Sequence, residues 1–215
     1  MSTPFDSTPL TPVSITLVDI NPRMVAAWQS VFAADPEVQI VRGSILCQPA
    51  CAWVTPTNSL GNMDGGVDGV IKRHFGSRIQ TRVRREIDRA YGGFMPIGCT
   101  VCVPTGHHRP RFLISTPTMF GTAEDISGTS NVAVACAAAL QAVRLQNATE
   151  PGSIRSVALP GLGASTGRVP PRLAAQWMHK AYRLFREQEL DQYAASRGSA
   201  TTADPDPGPG TYGLN

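Results

Sequence analysis

The sequence predicts a three-layer α/β/α fold in which a mixed, largely parallel central sheet lies between two layers of helices. Short apolar, β-branched runs alternate with longer stretches of helical periodicity. Glycine-rich polar loops follow two of the apolar runs. Parallel strands need long crossover connections, which are usually helices, so this alternation favours a parallel sheet. With 215 residues, the chain is long enough for one domain with a sizeable core.

The predicted elements alternate along the chain. Apolar, β-branched runs predict strands at residues 14–20, 38–42, 52–56, 99–103, 112–115 and 156–159. Helical periodicity predicts helices at residues 22–34, 67–75, 78–90, 131–147 and 172–189. Asn21 is expected to cap the first helix, and residues 128–130 are expected to cap the fourth. Gly76 separates the second helix from the third. The composition of the ends predicts a disordered arm at 1–12 and a disordered tail at 191–215 around a domain at 13–190.

Composition limits the classes of partner. The formal net charge of +3 is too small to favour nucleic acid. No run is apolar for long enough to span a membrane and the N-terminus lacks a secretory pattern, so we expect a cytoplasmic protein without a membrane partner. One stretch concentrates basic side chains, and it is interpreted as a solvated helix face, with local attraction of a phosphate-bearing substrate as the alternative. Its members are Lys72, Arg73, Arg78, Arg82, Arg84, Arg85 and Arg89.

The five cysteines are interpreted as reduced side chains, because they are odd in number and scattered through apolar runs. Cys99 and Cys102 spell C-x-x-C, with Cys47 and Cys51 upstream, so a zinc site is the alternative. Strand residues three apart point to opposite faces, which favours buried small side chains over metal ligands. We expect no metal and no cofactor.

The first glycine-rich loop joins the strand at 52–56 to a helix that starts near Val67. A strand-to-helix loop presents backbone N–H groups and the positive end of the helix dipole, which is typical of phosphate binding in α/β proteins. Gly65 and Gly66 let a ligand approach the backbone. Asn58 and Asp68 flank these glycines and can bind a sugar hydroxyl.

A second loop of this kind follows the strand at 156–159 and contains Gly161, Gly163 and Gly167. Pro170 or Pro171 suits the first turn of the next helix, where a missing N–H costs nothing. Two such loops at the carboxyl edge of one sheet can hold a single extended ligand.

These motifs resemble those of the macrodomain family. The run from Gly65 to Ile71, with Asn58 before it, is similar to one macrodomain signature, and the loop from Pro160 to Arg168 is similar to the other. The Arg42-Gly43-Ser44-Ile45 stretch resembles the Gly-Asp-Ile element of the family. The resemblance covers residues 14–189 and implies a macrodomain-like fold with a cleft for ADP-ribose.

A narrower resemblance links the chain to a branch found in bacteria and their phages. It rests on residues 17–22, 63–66, 116–119 and 160–163. Members of this branch are labelled as tail-associated or as ADP-ribose-1″-phosphate-processing proteins. The resemblance therefore implies ADP-ribose, or an ADP-ribosylated protein or nucleotide, as the partner.

The resemblance also implies the site residues. Asn58 is expected to bind the distal ribose and Asp68 to help activate a water, which makes both candidate catalytic residues. Their simpler roles are those of a turn residue and of a helix N-terminal carboxylate. The other candidate substrate-binding residues are Ser44, Ile45, Gly65, Gly66, Val67, Gly161, Leu162, Gly163, Ala164, Ser165, Thr166, Gly167 and Arg168.

Several positions depart from the family pattern. Ser44 replaces the Asp that recognises adenine, and its neutral hydroxyl makes a weaker hydrogen bond than a carboxylate. Gly167 replaces the aromatic residue that packs on the distal ribose. Arg168 replaces a glycine and offers forked donors to a phosphate. The remaining changes are Thr55 for an Asn and Ala164-Ser165 for a Thr-Gly pair.

Residues 163–167 also spell G-x-S-x-G, the nucleophile elbow of serine hydrolases. That mechanism needs an acid and then a histidine after Ser165. His179 is the only downstream histidine and no acid lies between, which argues against it.

Three functions remain open from the sequence. The first is a module that binds ADP-ribose or a related nucleotide between the two loops. The second is a hydrolase that removes ADP-ribose from proteins or processes ADP-ribose-1″-phosphate or O-acetyl-ADP-ribose. The third is a structural, phage-associated protein with a vestigial cleft.

Overall fold

The computed structural model describes residues 13–187 and confirms an α/β fold with a mixed, mostly parallel sheet. The strands are β1 (Ser14–Asp19), β2 (Gln39–Arg42), β3 (Ala52–Thr55), β4 (Val101–Pro104), β5 (Phe112–Ser115) and β6 (Ser156–Leu159). The helices are α1 (Pro22–Val31), α2 (Gly66–Phe75), α3 (Arg78–Tyr91), α4 (Asn131–Thr149) and α5 (Pro171–Arg186). The arm expected at 1–12 and the tail expected at 191–215 lie outside the described residues.

The strand order is β2-β1-β6-β3-β5-β4. The first five strands are parallel, and β4 pairs antiparallel with β5 at one edge of the sheet. The last strand in the sequence, β6, lies between β1 and β3, with Leu17 opposite Leu159 and Trp53 opposite Ala158. The loops that follow β1, β3 and β6 are therefore neighbours at the carboxyl edge.

Two apolar cores separate the layers. Helices α1, α4 and α5 pack on one face of the sheet, where Trp28, Leu140 and Met178 are almost fully buried. Helices α2 and α3 pack on the other face, where Ile71 and Val83 are buried. Side chains alternate between the two faces along β3, because successive strand residues point to opposite sides.

The end of the first helix differs from the predicted one. Helix α1 ends at Val31 rather than near residue 34, with Phe32 as its C-cap residue. Asn21 caps α1 as predicted, its side chain accepting from the N–H of Arg23. Among the described helices, none is both long and apolar enough to cross a membrane.

The C-terminus of α3 depends on one glycine. Gly92 adopts a left-handed conformation with φ of 64°, and its N–H donates to the carbonyls of Asp88 and Ile87. A Cβ at this position would meet no atom within 4 Å, so its only cost would be backbone strain.

We expect Gly92→Ala to lower the free energy of unfolding by about 1 kcal/mol, since non-glycine residues disfavour the left-handed region. Urea denaturation measures this change. Gly128→Ala is the matched control, because a Cβ there also has open space and Gly128 has no positive φ. Equal destabilisation by both substitutions would contradict the role of the cap.

Candidate functional site

A cavity of about 320 Å³ opens at the carboxyl edge of the sheet. All five parallel strands end at this edge, and residues following each of them contribute to its lining. The structure brings eleven of the predicted site residues together here. They are Ser44, Ile45, Gly65, Gly66, Val67, Asp68, Gly161, Gly163, Ser165, Thr166 and Gly167.

The first glycine-rich loop presents the N-terminus of α2 to this cavity. Gly65 is the N-cap residue and provides no side-chain cap, so the first-turn N–H groups are left for a ligand. Gly66 has φ of 53°, a conformation that favours glycine. A Cβ on Gly66 would lie 3.8 Å from Oγ1 of Thr166, so the two loops face each other at close range.

The second loop is held by backbone hydrogen bonds. Val169 N–H donates to the carbonyl of Gly163 at 3.1 Å, and Arg168 N–H donates to the carbonyl of Ser165 at 3.1 Å. Within residues 13–187, the N–H groups of Ser165, Thr166 and Gly167 have no backbone or side-chain acceptor. These residues line the cavity, so their N–H groups can serve an anion as a small backbone nest.

Asp19 lies where three segments meet, and sequence reasoning missed it as a site residue. Its carboxylate accepts from the N–H of Asn21 at 2.8 Å and from the N–H of Gly161 at 3.1 Å. A Cβ on Gly161 would lie 2.6 Å from the same carboxylate, which explains the glycine. An acidic residue at a strand end before an Asn-Pro helix start was the available signal.

The Asp68 carboxyl group lies in the first turn of α2 and lines the cavity. Its Oδ1 accepts a hydrogen bond from the hydroxyl of Thr55, which is buried at the end of β3. Burial raises the pKa of Asp68 to about 7 against the opposing effect of this hydrogen bond. A carboxyl group with a pKa near neutrality can exchange a proton under physiological conditions.

Four predicted site residues lie outside the lining. Asn58 is buried, and its Oδ1 accepts from the N–H groups of Leu60 and Asn62. Its side chain therefore stabilises its own loop. Leu162 is fully buried in the core and Ala164 packs against it. Arg168 is exposed and forms an ion pair with Asp125 at 3.7 Å.

A family model described as Macro domain matches residues 54–178 of the chain. The chain belongs to the Macro domain family. The matched residues run from β3 to α5 and include both glycine-rich loops.

Several known proteins are similar to this macrodomain. An uncharacterised protein of Aquifex aeolicus is 33% identical over 156 residues, which is 73% of this chain and 87% of that protein. The macrodomain of Mycobacterium tuberculosis DarG matches with a TM-score of 0.55 and 25% identity, over 66% of this chain and 86% of that chain. A Trypanosoma brucei macrodomain in complex with ADP-ribose matches with a TM-score of 0.50 and 17% identity, over 81% of this chain and 58% of that chain. The last likeness shows a shared fold.

Two departures from the macrodomain pattern have a structural basis. A Cβ on Gly167 would lie 2.7 Å from Ile126 and 2.8 Å from the carbonyl oxygen of Gly163, so this backbone has no room for an aromatic side chain there. The hydroxyl oxygen of Ser44 accepts from the N–H of Leu46 at 3.2 Å and caps a short 3₁₀ turn at Ile45–Cys47. Ser44 therefore has a structural task in this macrodomain besides any contact with a ligand.

Within the described residues, the competing motifs lack the partners that their chemistry needs. His179 bonds to Asp35 at 2.9 Å and does not contact Ser165. Cys99 lies in a turn before β4, while Cys102 lies within that strand and burial raises the pKa of its thiol to about 12. Across residues 13–187, no three His, Cys, Asp or Glu side chains are grouped as a metal site would require.

We expect Asp68→Asn to make stability less dependent on pH. The folded protein holds a proton on Asp68 more tightly than the unfolded chain does, so wild-type stability falls as pH rises from about 4 through 7. Asn cannot ionise. Between about pH 5 and pH 8, the free energy of unfolding of the variant should therefore rise by on the order of 2 kcal/mol relative to that of wild type.

Urea denaturation at the two pH values measures this difference. Asp64→Asn is the control. The exposed carboxylate of Asp64 pairs with Lys72, which lowers the pKa of Asp64, so this carboxylate stays ionised over the same pH range. A pH-independent difference between Asp68→Asn and wild type would contradict the raised pKa.

Proposed function

We propose that this macrodomain binds ADP-ribose or a related ADP-ribosyl nucleotide, with the diphosphate between the two glycine-rich loops. The observation that carries the proposal is the convergence of backbone N–H groups at one cavity, from the N-terminus of α2 and from residues 165–167. A helix N-terminus and a group of free backbone N–H groups can each bind an anion without help from a basic side chain.

The acidic side chains at the cavity are compatible with this anion. Both carboxylate oxygens of Asp19 accept backbone N–H groups, which occupy the carboxylate within the protein. Asp68 has a pKa of about 7 and is therefore partly protonated at neutral pH. The fold shared with the Trypanosoma brucei macrodomain that was solved with ADP-ribose adds support.

The base of the nucleotide is expected to lie near Ser44 and Ile45, which follow the edge strand β2 and line the cavity. The Ser44 hydroxyl already accepts one N–H, and its own hydrogen remains to donate to a ring nitrogen. A neutral hydroxyl discriminates between bases less than a carboxylate does. We therefore propose weak selectivity for adenine.

We expect Gly65→Leu to abolish ADP-ribose binding without unfolding the protein. Gly65 has an extended backbone with φ of −132°, and a Cβ there meets nothing within 4 Å, so the fold tolerates a side chain. The same side chain would occupy the space in front of the α2 N-terminus. Isothermal titration calorimetry with ADP-ribose measures the loss, with AMP and NAD as comparators.

Gly128→Leu is the matched control, because Gly128 is exposed, has open space and does not line the cavity. It should bind as wild type does. Unchanged affinity in Gly65→Leu would refute the placement of the diphosphate. No heat with wild type, together with stable self-association, would favour the structural alternative.

A second candidate function is hydrolysis at the anomeric carbon of the distal ribose, and the environment of Asp68 favours it. As a carboxylate, Asp68 would accept a proton from a water whose oxygen attacks that carbon. The bond to the leaving carboxylate, phosphate or acetate oxygen would then break. Thr55 would hold Oδ1, leaving Oδ2 to face the water.

We expect the hydrolytic rate to rise with pH through about 7, because the carboxylate form of Asp68 is the active base. Asp68→Asn should lose most of the turnover and retain ADP-ribose affinity. Release of ADP-ribose from a protein modified on acidic side chains, followed by chromatography, measures the rate. Equal turnover in wild type and Asp68→Asn would exclude Asp68 as the base.

The catalytic role of Asn58 stays a prediction, and its hydrogen bonds support a positioning role for the loop at 58–62. The cytoplasmic location and the phage association also stay predictions.

A further inference from the structure

A second cavity, of about 450 Å³, lies at the amino edge of the sheet. Cys51 precedes β3, Arg111 precedes β5 and Arg155 precedes β6, so the cavity lies at the end of the sheet opposite the macrodomain cleft. His107, His108 and Arg109 complete its polar lining, together with Ser153. Its volume falls in the range that small-ligand sites occupy.

Three guanidinium groups line this cavity, and Arg111 is the most firmly held. Its two terminal nitrogens donate to the two carboxylate oxygens of Glu150 at 2.7 and 3.0 Å. Its guanidinium also lies 4.9 Å from the centre of the Phe112 ring. A charged group held in this way loses little conformational freedom when it binds a ligand.

Arg109 and Arg155 leave most of their donors for a ligand. Arg109 uses one terminal nitrogen for the carbonyl of Pro49 at 2.9 Å. Arg155 is exposed, and across residues 13–187 its side chain makes no hydrogen bond or ion pair. Glu150 neutralises one of the three arginines, so a net positive charge remains at the cavity.

The Cys51 thiol responds to this environment. Its sulfur accepts from the hydroxyl of Ser156 at 3.4 Å. Burial raises the pKa of Cys51, but the hydrogen bonds from Ser156 and from the backbone of Arg155, with the charge of Arg109, outweigh it and leave that pKa below its ordinary value. Cys51 is thus a natural chemical reporter inside the cavity.

We propose that the amino-edge cavity is a second binding site for a compact anion with a phosphate or diphosphate group, held by Arg109, Arg111 and Arg155. Guanidinium groups bind phosphate oxygens through paired, charge-assisted hydrogen bonds. Arg109 and Arg155, which do not share the Glu150 carboxylate, suit an anion with two or more negative charges. The site is independent of the ADP-ribose cleft and does not require it to function.

Inorganic pyrophosphate is the probe, and iodoacetamide alkylation of Cys51, followed by peptide mass spectrometry, is the readout. Millimolar pyrophosphate should slow alkylation of Cys51 several-fold while leaving the exposed Cys47 unaffected. Arg109→Gln/Arg155→Gln should raise the pyrophosphate concentration needed for half-maximal protection about tenfold or more, because two guanidinium contacts are lost. The ratio of rates with and without pyrophosphate is compared, since Arg109 also affects the thiol itself.

Arg78→Gln/Arg85→Gln is the matched control, because it removes the same charge from exposed positions of α3 that line neither cavity. Pyrophosphate should protect Cys51 in this variant as well as it does in wild type. Gly65→Leu should also retain protection, which separates this site from the macrodomain cleft. Inorganic phosphate and AMP, tested in parallel, distinguish a free anion from the phosphate of a nucleotide.

No protection of Cys51 by pyrophosphate, phosphate or AMP at millimolar concentration would overturn the proposal. So would equal protection in Arg109→Gln/Arg155→Gln and in wild type. Loss of protection in Gly65→Leu would assign the effect to the other cavity.

Discussion

The parallel alignment of β1, β6 and β3 is the constraint on which the site depends. Because β6 lies between β1 and β3, the segments that leave these strands must emerge side by side. Asp19 then ties the segments after β1 and β6 together, since its carboxylate accepts N–H groups from the start of α1 and from the loop after β6. A bond between residues distant in the sequence thus helps to shape this edge of the sheet.

The cleft offers an anion backbone N–H donors rather than basic side chains. Across residues 13–187, no Lys or Arg lines it, and its donors are backbone N–H groups. Such donors are fixed by the fold, so little side-chain entropy is lost on binding. The amino-edge cavity uses the opposite arrangement, with guanidinium side chains as its donors. The two proposed sites would therefore bind anions by different physical means.

Sequence reasoning predicted the layers, the strands and both loops, because apolar periodicity and glycine-rich junctions are local signals. It also placed Gly65, Gly66 and Ser165 at the cavity that the structure contains. Their role in binding stays a prediction. Local signals were sufficient here because the carboxyl ends of parallel strands meet at one edge.

Contacts between distant segments were not predictable in this way. The bond from Thr55 to Asp68 and the bonds of Asp19 depend on which strands become neighbours. The bonds of Asn58, whose Oδ1 accepts within its own loop and whose Nδ2 donates to Thr122, were not foreseen, and its contact with a ligand stays a prediction. Arg168 was expected to reach a phosphate, but the turn at 165–168 directs it towards Asp125. A single sequence does not reveal how a polar side chain is shared between a turn and a ligand.

The most direct test of the account is a backbone amide NMR titration of the labelled protein with ADP-ribose. We expect the largest shifts at the N–H groups of Gly65, Gly66, Ser165, Thr166 and Gly167, because these groups would bond to the diphosphate. Smaller shifts should appear at Ser44 and Ile45, near the base. Shifts confined to other residues, or no shifts at millimolar ADP-ribose, would contradict the central claim that the two loops form one diphosphate site.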